Sequence, residues 1–526
     1  MPLIHSIKRG VYFDSVSLMR AAQMLSGLPG VSDASLVMGT RSNRDILALS
    51  GLDADDFNAA GDSDLLIAIR FESPASESDL LEQVERALTR RQEAGAQDSG
   101  IKPSSLEGAV RVLPGANLAL ISVAGRYAGD LARDALEQGL HVMLFSDNVP
   151  VETEIELKRL GRDRGLLVMG PDCGTAIING TPLGFANAVA RGGIGIVAAA
   201  GTGLQEVSCL ISHHGEGISQ AIGTGGRDLS GAVGGIMFIE SIRALDADPD
   251  TRVILLVSKP PHPDVRRAIG DLVSTIRKPV VTLLLGSAEA GQPMTLEEAA
   301  LAAVERLRMV QHSLQGKDLD SRSRGNDTVS VGGEVSVDIE AANALESSVA
   351  TALAGRLSAG RRYIRGLFSG GTFCAEAQII LNRSLKGLFS NAPTAGSSEL
   401  DNPLHSRGHT IVDLGDDTFT VGRLHPMIDF TLRKKRILDE AADPETAVIL
   451  LDVVLGYGSN PDPAGELSEV IREAVSKTAV ICSVTGTDSD PQCRRRVVEA
   501  LKKAGAHVLP SNASACRVAG RIACSI

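Results

Sequence analysis

Two short stretches of the chain share one arrangement of small residues, a threonine and a glutamate. Residues 194–206 read Ile-Gly-Ile-Val-Ala-Ala-Ala-Gly-Thr-Gly-Leu-Gln-Glu, and residues 364–376 read Ile-Arg-Gly-Leu-Phe-Ser-Gly-Gly-Thr-Phe-Cys-Ala-Glu. Both carry Gly-Thr, three further residues and then Glu, as Gly201-Thr202…Glu206 and Gly371-Thr372…Glu376. The first apolar run predicts a strand covered on both faces. Its small-residue turn lets a ligand approach the backbone closely. The helix that follows opens with unpaired amides and a positive dipole end, which suit phosphate or carboxylate. Gly201, Thr202 and Gly203, with Gly370, Gly371 and Thr372, are therefore the candidate phosphate-binding residues. Plain helix capping competes with this, because Thr202 and Gln205 have the spacing of a capping box. The repetition itself predicts two related units, each presenting a helix N-terminus.

Five other places hold residue types that could act chemically. The segment Gly422-Arg423-Leu424-His425-Pro426-Met427-Ile428-Asp429 is the densest polar cluster, with Arg423, His425 and Asp429 as candidate catalytic groups and a structural salt-bridge network as the alternative. Gly170-Pro171-Asp172-Cys173-Gly174 forms a tight turn at a predicted strand end, where open α/β sheets bind ligands. Cys173 lacks a neighbouring His in sequence to activate it. Gly125-Arg126-Tyr127-Ala128-Gly129 follows a predicted strand, and Asp147 lies about where a Rossmann fold places its ribose-binding acid. The turn is GxxxG rather than GxGxxG, so the NAD signal is weak. Gly456-Tyr457-Gly458-Ser459 and Thr485-Gly486-Thr487-Asp488 also read as ligand-type loops.

The elements that must position these residues are α/β throughout. The chain has 526 residues, 43% apolar and only 3% aromatic, so its cores are aliphatic. A formal charge of -12, no long basic run and few aromatics argue against nucleic acid as a partner. Seven scattered cysteines (173, 209, 374, 482, 493, 516 and 524) fit neither a disulfide framework nor a CxxC metal pattern, so no metal is expected. No signal peptide and no apolar run of about 18 residues is found, so a cytoplasmic protein without membrane contact is expected.

Residues 1–93 predict a small ferredoxin-like α/β module, with strands near 3–12, 31–38 and 65–69 and helices near 15–25 and 79–88. Residues 94–107 read as a linker, and residues 108–190 as a Rossmann-like domain with strands at 118–123, 141–145 and 166–169. Residues 191–310 predict a flavodoxin-like sheet, including strands at 235–239, 253–257 and 280–285. A linker spans 311–347. A second flavodoxin-like sheet occupies 348–526, with strands near 364–368, 409–413, 447–451, 480–484 and 507–509.

Gly170-Pro171-Asp172-Cys173, followed by Gly195-Ile196-Val197…Gly201-Thr202…Glu206, resembles the α subunit of succinyl-CoA synthetase. There a Gly-Pro-Asn-Cys turn borders the CoA domain and a Ser-Gly-Thr turn starts a phosphate-binding helix. Residues 348–526 are similar to the carboxy-terminal domain of the β subunit, so the resemblance covers about 110–526. The fusion to a small amino-terminal module, with the Gly-Arg-x-His-Pro-Met-Ile-Asp loop, resembles the FdrA family of acyl-CoA-synthetase-like proteins. Two departures bear on chemistry. The phosphohistidine loop is replaced by Leu285-Gly286-Ser287-Ala288-Glu289-Ala290-Gly291, without His, and the Gly-Glu-Ile-Gly-Gly turn by Ser258-Lys259-Pro260-Pro261. No ATP-grasp domain is expected within these residues.

The resemblance implies a subunit of a carbamoyl-transferring complex of the oxamate/carbamoyl phosphate type, in purine-ureide nitrogen catabolism. That chemistry needs a phosphate cradle and carbonyl-polarising donors rather than a nucleotide. It also implies a CoA-type pocket at Gly125, Arg126, Tyr127 and Asp172, no tightly bound cofactor with CoA as the one candidate, and an oligomer with other protein subunits. The alternatives are an acyl-CoA ligase subunit of the succinate type whose nucleotide-binding module lies on a partner, a scaffold or metabolite sensor that has lost chemistry, and an NAD-binding protein.

Overall fold

A computed structural model describes residues 3–286, 294–319, 334–420 and 424–526, apart from scattered positions before Ser105 that include 72–79 and 87–102. The chain divides into two compact units. One comprises Met1–Val142, Ser146–Val149 and Asp417–His425; the other comprises Met143–Phe145, Pro150–Asp416 and Pro426–Ile526.

The first unit opens with an antiparallel sheet of three strands in the order Leu3–Lys8, Leu65–Phe71, Val31–Met38. Alternation along the central strand fills two cores. Leu65, Ile67 and Ile69 pack with Ile4 and Leu36, while Leu66 and Ala68 pack with Val37 and Phe57. The three strands lie where the sequence predicts them. Of the two helices expected near 15–25 and 79–88, Leu18, Ala21, Ala22, Met24, Leu25, Leu80 and residues 82–86 are helical, and the other positions lie outside the described residues. Helix Leu106–Val112, capped by the Ser105 hydroxyl accepting from Gly108 N at 3.1 Å, begins inside the expected first linker. Strand Leu118–Ile121 and helix Gly125–Glu137 follow, and Ser146 then ties back to them, donating from N to Ile121 O at 3.3 Å. A Cβ on Gly125 would lie 2.2 Å from Asp147 O, so glycine there reflects a close backbone approach within the protein.

The second unit contains two sheets. The six-stranded sheet runs Val280–Leu284, Val253–Ser258, Arg191–Ala199, Ile218–Gly223, Thr175–Ile178, Thr181–Gly184. Its first four strands are parallel and its last two antiparallel. The seven-stranded sheet is parallel throughout, in the order Ser398–Glu399, Leu388–Ser390, His409–Asp413, Tyr363–Phe368, Thr446–Val454, Ala479–Thr485, His507–Leu509. Near-continuous Val, Ile and Leu runs such as Val253–Val257 and Ala447–Leu451 are buried on both faces, as parallel strands require.

Residues 235–239, expected as a strand, instead begin helix Ile236–Ala247. Gly234 and Gly235 have positive φ, and the Asp228 carboxylate accepts from Phe238 N at 2.7 Å, which fixes a helix start. The strand in that part of the sheet is Ile218–Gly223. The expected linker 311–347 is helical at both described ends, where helices Leu296–Leu319 and Glu334–Ala354 extend into it.

Candidate functional site

The two repeated turns meet inside the second unit. Strand Arg191–Ala199 feeds helix Gly201–His213, and strand Tyr363–Phe368 feeds helix Gly371–Leu381. The starts of the helices pack on each other reciprocally. A Cβ on Gly203 would lie 2.8 Å from Thr372 Cγ2, and a Cβ on Gly370 would lie 2.5 Å from Thr202 Cγ2. Glycine at 203 and 370 thus serves the approach of one helix to the other. Gly201 differs: its nearest neighbour would be Thr175 Oγ1 at 3.9 Å, and it is exposed. The expected capping box is absent. Ala200 is the N-cap and makes no side-chain cap, while Gln205 Nε2 donates to Phe185 O at 2.6 Å.

Gly371 is the more elaborated of the two starts. A methyl group there would lie 2.6 Å from Lys259 Nζ and 2.8 Å from Asp413 Oδ2. Both residues follow from sheet register. Asp413 pairs with Phe368, and Ser258 pairs with Ala199, so each stands at the carboxyl edge of the strand beside a turn. Lys259 is exposed, and its ammonium comes from the opposite sheet. Asp413 is 6% exposed. Burial raises its carboxyl to about 6, against the pull of Lys259 and of the bond from Gly415 N. Asn391 fixes its backbone on both sides, accepting from Asp413 N at 2.9 Å and donating to Asp413 O at 3.0 Å. Asp413 Oδ1 accepts from Gly415 N, and Oδ2 has no hydrogen-bond partner among the described residues. Sequence reasoning missed Lys259 and Asp413 as site residues. The usable signal was their place at strand ends.

The glutamates of the repeat perform matching tasks. Glu206 Oε1 accepts from Asn512 N at 3.1 Å, at the start of helix Asn512–Ser525. Glu376 Oε1 accepts from Leu296 N at 2.7 Å, at the start of helix Leu296–Leu319. Burial raises the Glu206 carboxyl to about 6 and that of Glu376 to about 7.

Other predicted residues are placed differently. Arg423 lies outside the described residues, as do Ser287 to Gly291 of the loop in the phosphohistidine position. His425 is half-buried in the first unit, whereas Asp429 belongs to the second and accepts from Thr431 N and Oγ1 at 2.8 and 2.7 Å, a turn at the start of helix Thr431–Ala442. Gly125, Arg126 and Tyr127 fall in the first unit, with the Arg126 guanidinium 4.7 Å from the Tyr127 ring centre, and Asp172 falls in the second. Cys173 is buried, its thiol raised to about 12 by burial and donating to Gly223 O at 3.3 Å, so it is held as a neutral thiol. The loop at Gly456 and Gly458 is pressed on Phe185: a Cβ at either glycine would lie 2.6 Å from a Phe185 atom. Thr487 Oγ1 donates to Ala188 O, so the 485–488 loop also joins the two sheets.

Residues 367–522 match the CoA-ligase family, and residues 1–103 match the AllF heavy metal-associated domain. Residues 1–103 contain no cysteine, so they offer none of the thiolates that soft metals select, and the first module does not fit a heavy-metal site of that kind. Among the described residues no group of three or more His, Cys, Asp or Glu could hold a metal ion, and no helix is long and apolar enough to cross a membrane. The malate–CoA ligase α subunit of Methylorubrum extorquens is 26% identical over 198 residues, 36% of this chain and 66% of that one. The α subunit of ADP-forming succinate–CoA ligase from Aquifex aeolicus is 29% identical over 178 residues, 33% of this chain and 57% of that one. Escherichia coli YahF is 40% identical over 532 residues, covering 98% of both chains. The chain therefore belongs to the family of YahF, an α/β family that joins a small amino-terminal AllF-type module to a CoA-ligase domain related to succinyl-CoA synthetase.

Proposed function

We propose that the chain is a carbamoyl-transferring subunit of a multiprotein enzyme of the oxamate/carbamoyl phosphate type, working in purine-ureide nitrogen catabolism. The phosphoryl group binds at the helix start of Gly371, with Gly370 and Thr372, and the start at Gly201, Thr202 and Gly203 completes the cradle. The carrying observation is the convergence of Lys259 Nζ with that helix start, since a cation beside unpaired amides is what a phosphate dianion needs. The strand end in the phosphohistidine position reads Leu285-Gly286-Ser287-Ala288-Glu289-Ala290-Gly291, so this reading uses no phosphohistidine shuttle. The AllF-type module and the FdrA resemblance support the pathway. Calorimetric titration of the full chain with carbamoyl phosphate tests this reading, and no binding, or binding unaffected by Lys259→Gln, rejects it.

A second reading rests on the CoA-ligase match and the likeness to ligase α subunits. In it the chain is an acyl-CoA ligase subunit that takes CoA at the helix start of Gly125, Arg126 and Tyr127 and pairs with a separate nucleotide-binding subunit. CoA binding without carbamoyl phosphate binding selects it.

A further inference from the structure

We propose that Asp413 is the proton-carrying group of the Gly371 cradle, meeting the bound phosphate as a neutral carboxylic acid. This inference rests on the phosphate reading above and names its acid–base residue. A carboxylate is an unexpected lining for an anion site, because two negative charges at contact repel strongly in a dry environment. Yet Asp413 Oδ2 would lie 2.8 Å from a Cβ on Gly371, beside Lys259 Nζ. The side chain is 6% exposed, its backbone is clamped by Asn391, and Oδ1 is engaged by Gly415 N, so the carboxyl is held in one orientation. Oδ2 has no hydrogen-bond partner among the described residues. An anion can share that space only if Oδ2 carries a proton and donates it in a hydrogen bond.

The charged and titratable groups around Asp413 leave that proton within reach of ordinary pH. Lys259 lowers the carboxyl affinity for protons, while Asp416 on its own loop and Asp452 on the neighbouring strand Thr446–Val454 raise it. Cys374, from the helix above, is a buried thiol pushed up to about 12 and stays neutral. Burial dominates and brings Asp413 to about 6.

The acceptor nitrogen attacks the carbamoyl carbon and forms the C–N bond. The C–O bond to phosphate breaks with its electron pair leaving on oxygen, and the Asp413 proton passes to that oxygen. The proton lost by the acceptor nitrogen restores the Asp413 carboxyl. In reverse, the phosphate oxygen attacks the carbamoyl carbon, the C–N bond breaks with its electron pair leaving on nitrogen, the Asp413 proton passes to that nitrogen, and the proton of the phosphate hydroxyl restores the Asp413 carboxyl.

Sulfate is the probe for the test, because it stays dianionic throughout the range and contributes no proton of its own. The full chain is titrated with sulfate and with carbamoyl phosphate at several pH values, in buffers of different ionisation enthalpy. The wild type takes up protons on binding near pH 7. Asp413→Asn keeps its Kd within about threefold but loses that uptake. Lys259→Gln, at an exposed position, moves the pH of maximal uptake upward because the cation that opposed protonation is gone. Uptake that persists unchanged in Asp413→Asn, or a maximum unmoved in Lys259→Gln, overturns the proton role alone. Failure of the wild type to bind either anion overturns the phosphate reading together with it.

Discussion

Glu206 and Glu376 stand at the same position in two helices of the repeat, and each caps a helix in the other half of the second unit. Glu206 reaches Asn512 N at 3.1 Å and Glu376 reaches Leu296 N at 2.7 Å. Asn512 also donates from Nδ2 to Glu376 Oε2 at 2.7 Å, so one residue touches both carboxyls. Each carboxyl fills a helix start whose first amide lacks an intrahelical partner. The repeated Gly-Thr…Glu motif is thus also the joint between the two sheets.

That joint makes stability fall with rising pH. Burial raises Glu206 from 4.5 to about 6 and Glu376 from 4.5 to about 7. A carboxyl whose folded pKa exceeds its unfolded value binds its proton more tightly when folded. Its contribution is complete below the unfolded value of 4.5 and declines as pH rises through 6 and 7. Glu206→Gln keeps an acceptor for Asn512 N without the titrating charge. Denaturant unfolding at pH 5 and pH 8 is expected to show the variant gaining on the wild type by about 1 kcal/mol at the higher pH. A constant gap between the two proteins contradicts this.

The glycines of the two turns separate into packing and open positions. Gly370→Ala places a methyl 2.5 Å from Thr202 Cγ2 and is expected to cost about 1–3 kcal/mol, with Thr202→Ser restoring part of the loss in a double-mutant cycle. Gly201→Ala meets nothing nearer than 3.9 Å and is expected to change stability by less than about 1 kcal/mol. Equal losses at both positions would contradict the assignment.

Lys158 is fully buried with Glu154 and Asp228, to whose carboxylates it donates at 2.8 and 2.9 Å, and with Thr224 O at 2.9 Å. Asp228 in turn caps helix Ile236–Ala247. Lys158→Met leaves two buried carboxylates without their shared cation and is expected to cost about 3–5 kcal/mol in chemical denaturation. Recovery in the triple variant Lys158→Met, Glu154→Gln, Asp228→Asn is the expected signature of unpaired charge; no recovery would place the loss in packing.

The thiols predict their own reactivity. Cys524 is exposed and Cys493 partly so, whereas Cys173, Cys374 and Cys482 are buried with thiols pushed up to about 12. Under native conditions at pH 8, alkylation read by mass spectrometry is expected at Cys524 first and last at Cys173. Early labelling of Cys173 would revive a nucleophilic role for it.

Most strands were legible because β-branched and aliphatic runs bounded by glycine or proline leave little ambiguity, as at His409–Asp413 and His507–Leu509. Residues 235–239 misled because a short apolar run after two glycines suits a buried strand or a helix start equally well, and the deciding carboxylate of Asp228 comes from the preceding loop. The repeated Gly-Thr turns were visible as a pattern, but nothing local distinguishes Gly201, facing open space, from Gly370, facing Thr202. Gly456 and Gly458 likewise read as a ligand loop, yet they admit Phe185. Lys259 and Asp413 are 154 residues apart in number and meet at Gly371 only through the pairing of strands, which no local spacing reveals.

The most direct test of the phosphate cradle is calorimetric titration of the full chain with carbamoyl phosphate, with and without saturating CoA, in the wild type and in Lys259→Gln. The expected result is binding that CoA does not abolish and that weakens by about tenfold in the variant. Binding of CoA alone, or carbamoyl phosphate affinity unchanged by Lys259→Gln, would contradict it.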